Sequence, residues 1–179
     1  PHLQEALSRA RELATQVTLP DLLEELSQGL RFEEWPTTPE LVLVPSYWIT
    51  PLTYFGKLSE QRETLVFGAR SPGVSLVPGE VVPDALLRVL KALSDPTRLR
   101  ILHYLSEEPL TPTQLARRLR LRAPTVVHHL KTLRLAGLVQ LTLANGKEKR
   151  RYAARSEAVK AAWDSLQGFL DQGGVEDPE

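Results

Sequence analysis

Two adjacent histidines, His128 and His129, stand in the basic and aliphatic stretch RLRAPTVVHHLKTLR. An imidazole can bind a metal, relay a proton or donate a hydrogen bond to a phosphate or a base edge. Successive helix residues point about 100° apart, so the two rings cannot readily share one ion, and a metal pair favours a spacing of three or four residues. No Ser, Cys or carboxylate stands near them in the helix to complete a proton relay. Contact with a polyanion is therefore the preferred interpretation for His128, whereas His129 is predicted to lie nearer the buried side.

The helix that carries the histidines is predicted to have one apolar face and one open face. With Val126 set inward, the helical period turns Leu130 and Leu133 inward as well. Thr132 is then placed at the margin of the outer face. The residues predicted to contact a polyanion from this helix and its start are Arg122, Ala123, Pro124, Thr125, Val127, His128 and Lys131.

Charge is unevenly distributed along the 179 residues, although Lys and Arg (22) balance Asp and Glu (22) overall. Residues 84–155 carry 15 basic and 5 acidic residues, whereas 1–83 carry 6 and 11 and 156–179 carry 1 and 6. A basic block between acidic flanks is typical of a module that binds a polyanion such as nucleic acid.

The basic block is predicted to hold a run of short helices and a hairpin. Helix starts are expected at Asp84, at Asp95 before Pro96 and at Thr111 before Pro112, because such side chains accept hydrogen bonds from first-turn amides and proline needs no donor there. A further helix starts at Ser156. Asn-Gly between two β-prone arms predicts a hairpin. The cations at its tip, predicted to neutralise phosphates, are Lys147, Lys149, Arg150 and Arg151; a solvated turn is the alternative.

Four helices, a hairpin and a last helix are the layout of a winged helix-turn-helix. The predicted fold class is therefore α+β and mainly helical, with a winged helix-turn-helix domain over 81–171 and a flexible acidic tail over 172–179. In such a module the helix before the hairpin enters the major groove of DNA.

Residues 1–80 are predicted to form a separate small α+β segment of helices and short strands. Two amphipathic helices come first, the second ending at Gly29. Extended segments punctuated by Pro45 and Pro51 follow, and these prolines favour edge positions. The aromatic residues of this segment either line an effector pocket or fill a small core, and they are Trp35, Tyr47, Trp48, Tyr54 and Phe55.

The motifs LKALSDPTRLRILHYL, TPTQLARRL, APTVVHHLKTLRLAGLV and NGKEKRRYAA, in this order, resemble those of the ArsR family of winged-helix repressors over about residues 84–155. The resemblance implies a homodimer that binds a pseudo-palindromic operator and is commonly released by a small-molecule or protein effector. It also implies that the last helix takes part in the dimer interface. Candidates there are Trp163, Leu166 and Phe169, which are equally compatible with intrachain core.

The sequence departs from the family pattern at several positions. Thr111 and Thr113 stand where metal-sensing members of the family carry a Cys-x-Cys pair. The alternative metal site of the family needs histidine and carboxylates on the last helix, but no histidine follows His129. Neither metal nor cofactor is therefore expected. Arg122 replaces the customary serine at the recognition-helix cap, and Val127 replaces a serine that often faces DNA. Val127 can meet a thymine methyl but cannot donate a hydrogen bond to a base.

Several other functions are disfavoured by the sequence. The chain has no cysteine, no phosphate loop and no nucleophile elbow, so no enzymatic activity is expected. It has no apolar run of membrane-spanning length and no secretory signal, which predicts a cytoplasmic protein without membrane contact. Its start at Pro1 suggests truncation or processing. The alternative to a DNA-binding regulator is a winged-helix scaffold for protein–protein interaction without direct DNA readout.

Overall fold

The computed structural model describes residues 2–32, 39–71, 82–143 and 150–171. Within these ranges the helices are α1 (His2–Gln16), α2 (Leu19–Leu26), α3 (Asp84–Leu93), α4 (Pro96–Glu107), α5 (Pro112–Leu119), α6 (Ala123–Leu135) and α7 (Ser156–Asp171). The strands are β1 (Leu30–Phe32), β2 (Glu40–Ser46), β3 (Tyr54–Ser59), β4 (Arg62–Gly68), β5 (Val139–Leu143) and β6 (Arg150–Ala154). The predicted α+β class is confirmed. No helix in the described part of the chain is long and apolar enough to cross a membrane.

Strands β2, β3 and β4 form one sheet in the N-terminal part. The strand order is β2-β4-β3, with β2 parallel and β3 antiparallel to the central β4. Helix α1 packs on α2 and on β2. Pro45 lies in β2, an edge strand, as its missing amide donor requires. Pro51 lies outside the strands, after a cis peptide bond with Thr50.

Helices α3 to α6 enclose one apolar core with the base of the β5–β6 hairpin. Its members come from every one of these elements, and fully buried side chains include Ile101, Leu115 and Leu138. Burying a side chain of this size contributes roughly 1.5–3 kcal/mol to folding, so this core is the rigid support for the outer residues of α6.

The N-caps of two of these helices follow the sequence prediction. The Asp95 carboxylate accepts a hydrogen bond of 2.9 Å from the Arg98 amide, and Pro96 opens α4. At α5, Thr111 and Gln114 form a reciprocal capping box. Helix α3 begins at Asp84, as predicted, but the predicted capping role of Asp84 was wrong. Helix α3 has Pro83 at its N-cap without a side-chain hydrogen bond, and the Asp84 carboxylate in the first turn instead lies 3.5 Å from Arg70.

Strand β1 pairs with the β5–β6 hairpin, which is the wing of the winged helix-turn-helix. The sequence did not predict this pairing. The sheet order is β1-β5-β6, with β1 parallel to β5 and β6 antiparallel to it. The chain enters β1 through Gly29, which has a φ of +97° and whose carbonyl accepts a 2.7 Å hydrogen bond from the Leu141 amide. A Cβ at Gly29 would lie 3.0 Å from Arg155 Cδ and 3.2 Å from the Val139 carbonyl oxygen, so glycine allows this close approach. The predicted division near residue 80 stays a prediction, and strand pairing crosses it.

Candidate nucleic-acid interface

Helix α6 turns one face to the core and the other to solvent. Val126, Leu130 and Leu133 are fully buried, which confirms the predicted inward face. Val127 is 49% exposed. The remaining residues predicted to contact DNA from this helix and its start are also exposed, and they are Arg122, Ala123, Pro124, Thr125, His128 and Lys131. A helix anchored on one side and open on the other has the shape that enters a major groove.

The two histidines have different surroundings. The His128 side chain is exposed, whereas that of His129 is only 14% exposed. Their ring centroids lie 6.0 Å apart with planes at 66°. His129 Nδ1 is buried, makes no hydrogen bond with any described residue, and lies 4.0 Å from an Asp95 carboxylate oxygen. No group of three or more His, Asp or Glu in the described ranges has the arrangement of a metal site.

His129 and the α4 cap also share an electrostatic environment. The pKa of Asp95 is lowered, first by the hydrogen bond from the Arg98 amide and then by the charges of Arg98 and His129, while burial opposes the shift. A charged Asp95 at the start of α4 is therefore favoured in the folded chain, and it faces the inner margin of α6.

The turn between α5 and α6 brings several arginines to the start of α6. Arg120 adopts a left-handed conformation with φ of 56° and ends α5. Arg118 is paired with Glu108 and lies 5.6 Å over the Tyr104 ring, so it is held by its own domain. Arg117 and Arg122 are exposed. Together with the first amides of α6, exposed arginines there can meet a phosphate.

Two of the four cations predicted for the wing lie in the part of the chain that the structure describes. Arg150 and Arg151 are exposed in β6, opposite Leu143 and Thr142 of β5. Lys147 and Lys149 lie outside the described residues, as does the Asn-Gly turn. The antiparallel pairing of β5 with β6 confirms the predicted hairpin arms.

Helix α7 buries none of its residues within the chain, although it packs against α3. The predicted interface residue Trp163 is 61% exposed, while Leu166 and Phe169 are partly exposed. Val159 and Leu170 extend this apolar stripe at helical spacing and are exposed as well.

The described aromatic residues among those predicted for an effector pocket lie in different surroundings. Trp48 is 81% exposed and Tyr54 is exposed as well. Phe55 of β3 contacts Phe32 of β1, with ring centroids 5.3 Å apart. Tyr47 packs on the ring of Trp48. It also contacts His2 and Arg70, which line a cavity between α1, α2 and β4. Trp35 lies outside the described residues.

Two arginines that sequence reasoning missed connect the N-terminal part to α6 and the wing. Arg134, in the last turn of α6, donates hydrogen bonds of 3.0 and 3.1 Å to the carbonyls of Ser27 and Gln28, just beyond the end of α2. A cation at a helix C-terminus is favoured by the helix dipole and by the unpaired carbonyls there. Burial, and then the charge of Arg155, lower the pKa of Arg134.

Arg155 lies next to this contact, directly after β6. Its guanidinium lies 3.5 Å from Glu25 of α2 and 3.1 Å from Glu157, and it donates to the Gly137 carbonyl at 3.4 Å. Gly137 follows the C-cap of α6. The end of α2 is thus fastened to the end of the helix that carries the exposed outer face. Nothing in the local sequence marks either arginine, because each resembles an ordinary basic residue near a helix end.

Comparison with known proteins gives matches to part of the chain. The family model described as "Bacterial regulatory protein, arsR family" matches residues 95–140. The HTH-type transcriptional regulator CmtR of Mycobacterium tuberculosis is 40% identical over 91 residues, which are 51% of this chain and 76% of that protein. An uncharacterized HTH-type transcriptional regulator of Methanocaldococcus jannaschii is 38% identical over 72 residues, 39% of this chain and 76% of the relative. Among solved structures, HlyU from Vibrio cholerae is similar over 49% of this chain and 94% of its own, with 31% identity and a TM-score of 0.38.

Proposed function

Because the chain belongs to the ArsR family of bacterial transcriptional regulators, we propose that it represses transcription by binding a pseudo-palindromic operator as a homodimer. DNA-binding regulation of transcription is the activity of this family. The proposal adds the residues that make the contacts, the symmetry of the complex and the sign of the effect. An effector, a protein or a small molecule, is expected to control it. Such a regulator works where the chromosome is, in the cytoplasm.

The observation that carries the proposal is the two-sided helix α6. Its inner residues are fixed by the core, so its outer residues present a constant pattern to a groove. We expect His128 and Lys131 to contact base edges or phosphates and Val127 to contact a thymine methyl. Arg150 and Arg151 on the wing supply phosphate contacts beside it, with affinity that falls as salt rises.

Helix α7 supports the dimeric form. An amphipathic helix without one buried residue leaves its apolar stripe in water, which costs roughly 25 cal/mol for each Å² that a partner would cover. A second copy related by a two-fold axis covers such a stripe with the same stripe. Two copies of α6 would then meet half-sites about one helical turn apart, near 34–36 Å.

The experiment is to select fragments of genomic DNA with the purified chain and to footprint them. We expect an inverted repeat whose half-site centres are about one turn apart. His128→Ala combined with Lys131→Ala should reduce the preference for this site over random duplex, because each good base contact is worth about 1–3 kcal/mol. The matched control is Ser165→Ala on the exposed part of α7.

Two outcomes contradict the proposal in different ways. Failure to bind any duplex at low salt favours the scaffold for protein–protein interaction. Recovery of a single half-site without symmetry removes the homodimer. The dimer is tested separately by sedimentation: Trp163→Glu should yield monomers at concentrations where wild type and Ala161→Glu, an exposed position on the opposite face of α7, are dimeric.

A further inference from the structure

A cavity of about 340 Å³ lies between α1, the end of α2 and the end of β4. Its size is near the lower end of the range for small-molecule sites. Leu13, Leu26 and Phe67 give it apolar walls, and its charged lining residues are Glu5, Arg9, Glu25 and Arg70. A pocket with apolar walls and a few charged groups has the usual composition of a site for a small organic ligand.

Each carboxylate on the lining lies near a basic side chain. Glu25 lies 3.6 Å from Arg9, and Glu5 lies 3.7 Å from His2. The Arg9–Glu25 distance exceeds the usual 2.7–3.2 Å of an N–H···O hydrogen bond, and the Arg9 side chain is 65% exposed. A guanidinium offers five donors in a planar fork that matches a carboxylate. Arg9 is therefore the group on this wall best suited to bind an anion.

Arg70 also lines the cavity, but its guanidinium pairs with residues outside the lining. Its side chain is only 3% exposed, lies 3.5 Å from Asp84 and donates a 3.0 Å hydrogen bond to the Thr50 carbonyl. The pKa of Arg88 is lowered, first by burial and then by the nearby positive charge of Arg70. The negative charge of Asp84 opposes this shift. The lining carries two arginines and two glutamates, so its formal charges balance. The preference for an anionic ligand therefore rests on Arg9, whose side chain is 65% exposed, whereas that of Arg70 is 3% exposed.

Two residues of the cavity wall also contact the arginines that fasten α2 to α6. Glu25, on the cavity side of α2, faces both Arg9 and Arg155. Gln28 lines the cavity, and its carbonyl accepts a hydrogen bond from Arg134. A ligand in the cavity would therefore contact residues that also fasten α2 to the C-terminal end of α6, the helix with the proposed DNA-facing side.

We propose that this cavity binds a small organic carboxylate with an apolar body, and that its occupancy changes the affinity of the chain for DNA. Arg9 holds the carboxylate and the apolar body packs on Leu13, Leu26 and Phe67. Binding draws Arg9 away from Glu25, which is then left to Arg155 alone and competes with the Gly137 carbonyl for that guanidinium. The regulatory half of the proposal rests on the DNA-binding function, whereas the binding half does not.

The binding half is tested by calorimetric titration of the full chain with benzoate, with benzyl alcohol and benzylamine as neutral and cationic probes of the same size. We expect saturable binding of benzoate, weaker binding of the alcohol and none of the amine. Arg9→Gln should weaken benzoate binding tenfold or more, and Arg11→Gln, on the same helix but outside the cavity, should leave it unchanged. Ala6→Leu, which fills the cavity, should weaken all probes that bind.

Three results overturn the binding half. They are no saturable benzoate binding, equal binding of benzoate and benzyl alcohol, and an Arg9→Gln variant that binds benzoate like wild type. A circular dichroism melt of each variant shows whether a loss of binding comes from misfolding. Ala6→Leu changes the volume of the cavity and Arg9→Gln its charge, so one remains informative if the other unfolds.

The regulatory half is tested by fluorescence anisotropy with a labelled duplex, replacing sodium chloride by sodium benzoate at constant sodium. We expect a change in the dissociation constant of fivefold or more for wild type and for Arg11→Gln. For Arg9→Gln, benzoate should change the dissociation constant for DNA less than twofold. The affinity of this variant for DNA should be near that of benzoate-saturated wild type, because Glu25 lacks its ion pair with Arg9 in both cases. Benzoate binding without any change in DNA affinity overturns this half. Failure to bind duplex at all instead rejects the DNA-binding function and leaves the calorimetric result valid.

Discussion

The wing provides the sharpest test of how the chain meets DNA. Arg150 and Arg151 are exposed on β6, with no ion pair to either among the described residues, so their charges are directed to solvent. Each cation that neutralises a phosphate contributes about 0.9 to the slope of log affinity against log salt. Two arginines in each of two protomers therefore account for about 3.6 units of slope. Arg150→Ala with Arg151→Ala is expected to flatten the slope by this amount.

The difference is large enough to measure easily. A slope contribution of about 3.6 corresponds to a change on the order of 150-fold in affinity between 50 and 200 mM salt. Over this range the wild type should therefore lose about 150-fold more affinity than the variant does. The assay is anisotropy of a labelled duplex over that range of salt. The matched control removes two cations from the N-terminal part, Arg11→Ala with Lys57→Ala, and should keep the wild-type slope. An unchanged slope in the wing variant refutes the placement of the wing at the phosphates.

Three further predictions concern stability and are measured by urea denaturation. Leu130→Ala should lower the free energy of unfolding by about 2–5 kcal/mol, because it opens a cavity at a fully buried position. Asp95→Ala should cost about 1 kcal/mol near neutral pH by removing the α4 cap. The Asp95 pKa is lowered in the folded chain, so this stabilisation is complete above the unfolded value of about 3.9 and is lost as pH falls further, and wild type and variant should converge in acid. Arg134→Met should cost at least about 3 kcal/mol, since it removes two charge-assisted hydrogen bonds to backbone carbonyls.

Leu130→Ala has a control on the same helix. Thr132→Ala, at the margin of α6, should change stability far less than Leu130→Ala. A cost for Asp95→Ala that stays constant down to low pH contradicts the role of the charged carboxylate. Arg134→Met with wild-type stability would mean that water satisfies the Ser27 and Gln28 carbonyls equally well.

Much of the winged helix could be predicted because its signals are local. The Asp95-Pro96 and Thr111-Pro112 pairs fix two helix starts through side chains that reach only three residues along the chain. The inward face of α6 follows from helical period alone. Asp84 shows the limit of such reasoning, because its carboxylate pairs with Arg70, a distant residue, rather than capping its own helix.

The junction between the N-terminal part and α6 could not be predicted for the same physical reason. Strand β1 has three residues, too few to show a period, and its partner β5 lies more than a hundred residues away. The hydrogen bonds of Arg134 span 106 and 107 residues. Contacts of this range depend on the packed geometry of both parts, and no pattern within either segment encodes them.

The same junction sets an upper limit on regulation from the N-terminal part. A ligand shifts a conformational equilibrium only by the difference in its binding free energy between the two states. The contacts available for exchange are the ion pair of Arg155 with Glu25 and the two hydrogen bonds of Arg134. Coupling free energies between sites are typically about 1–3 kcal/mol, or 5- to 150-fold in affinity. Because the Arg134 bonds are charge-assisted and partly buried while Glu25 is half exposed, rearrangement at Arg155 alone should give a response near the lower end, and only release of Arg134 would reach the upper end.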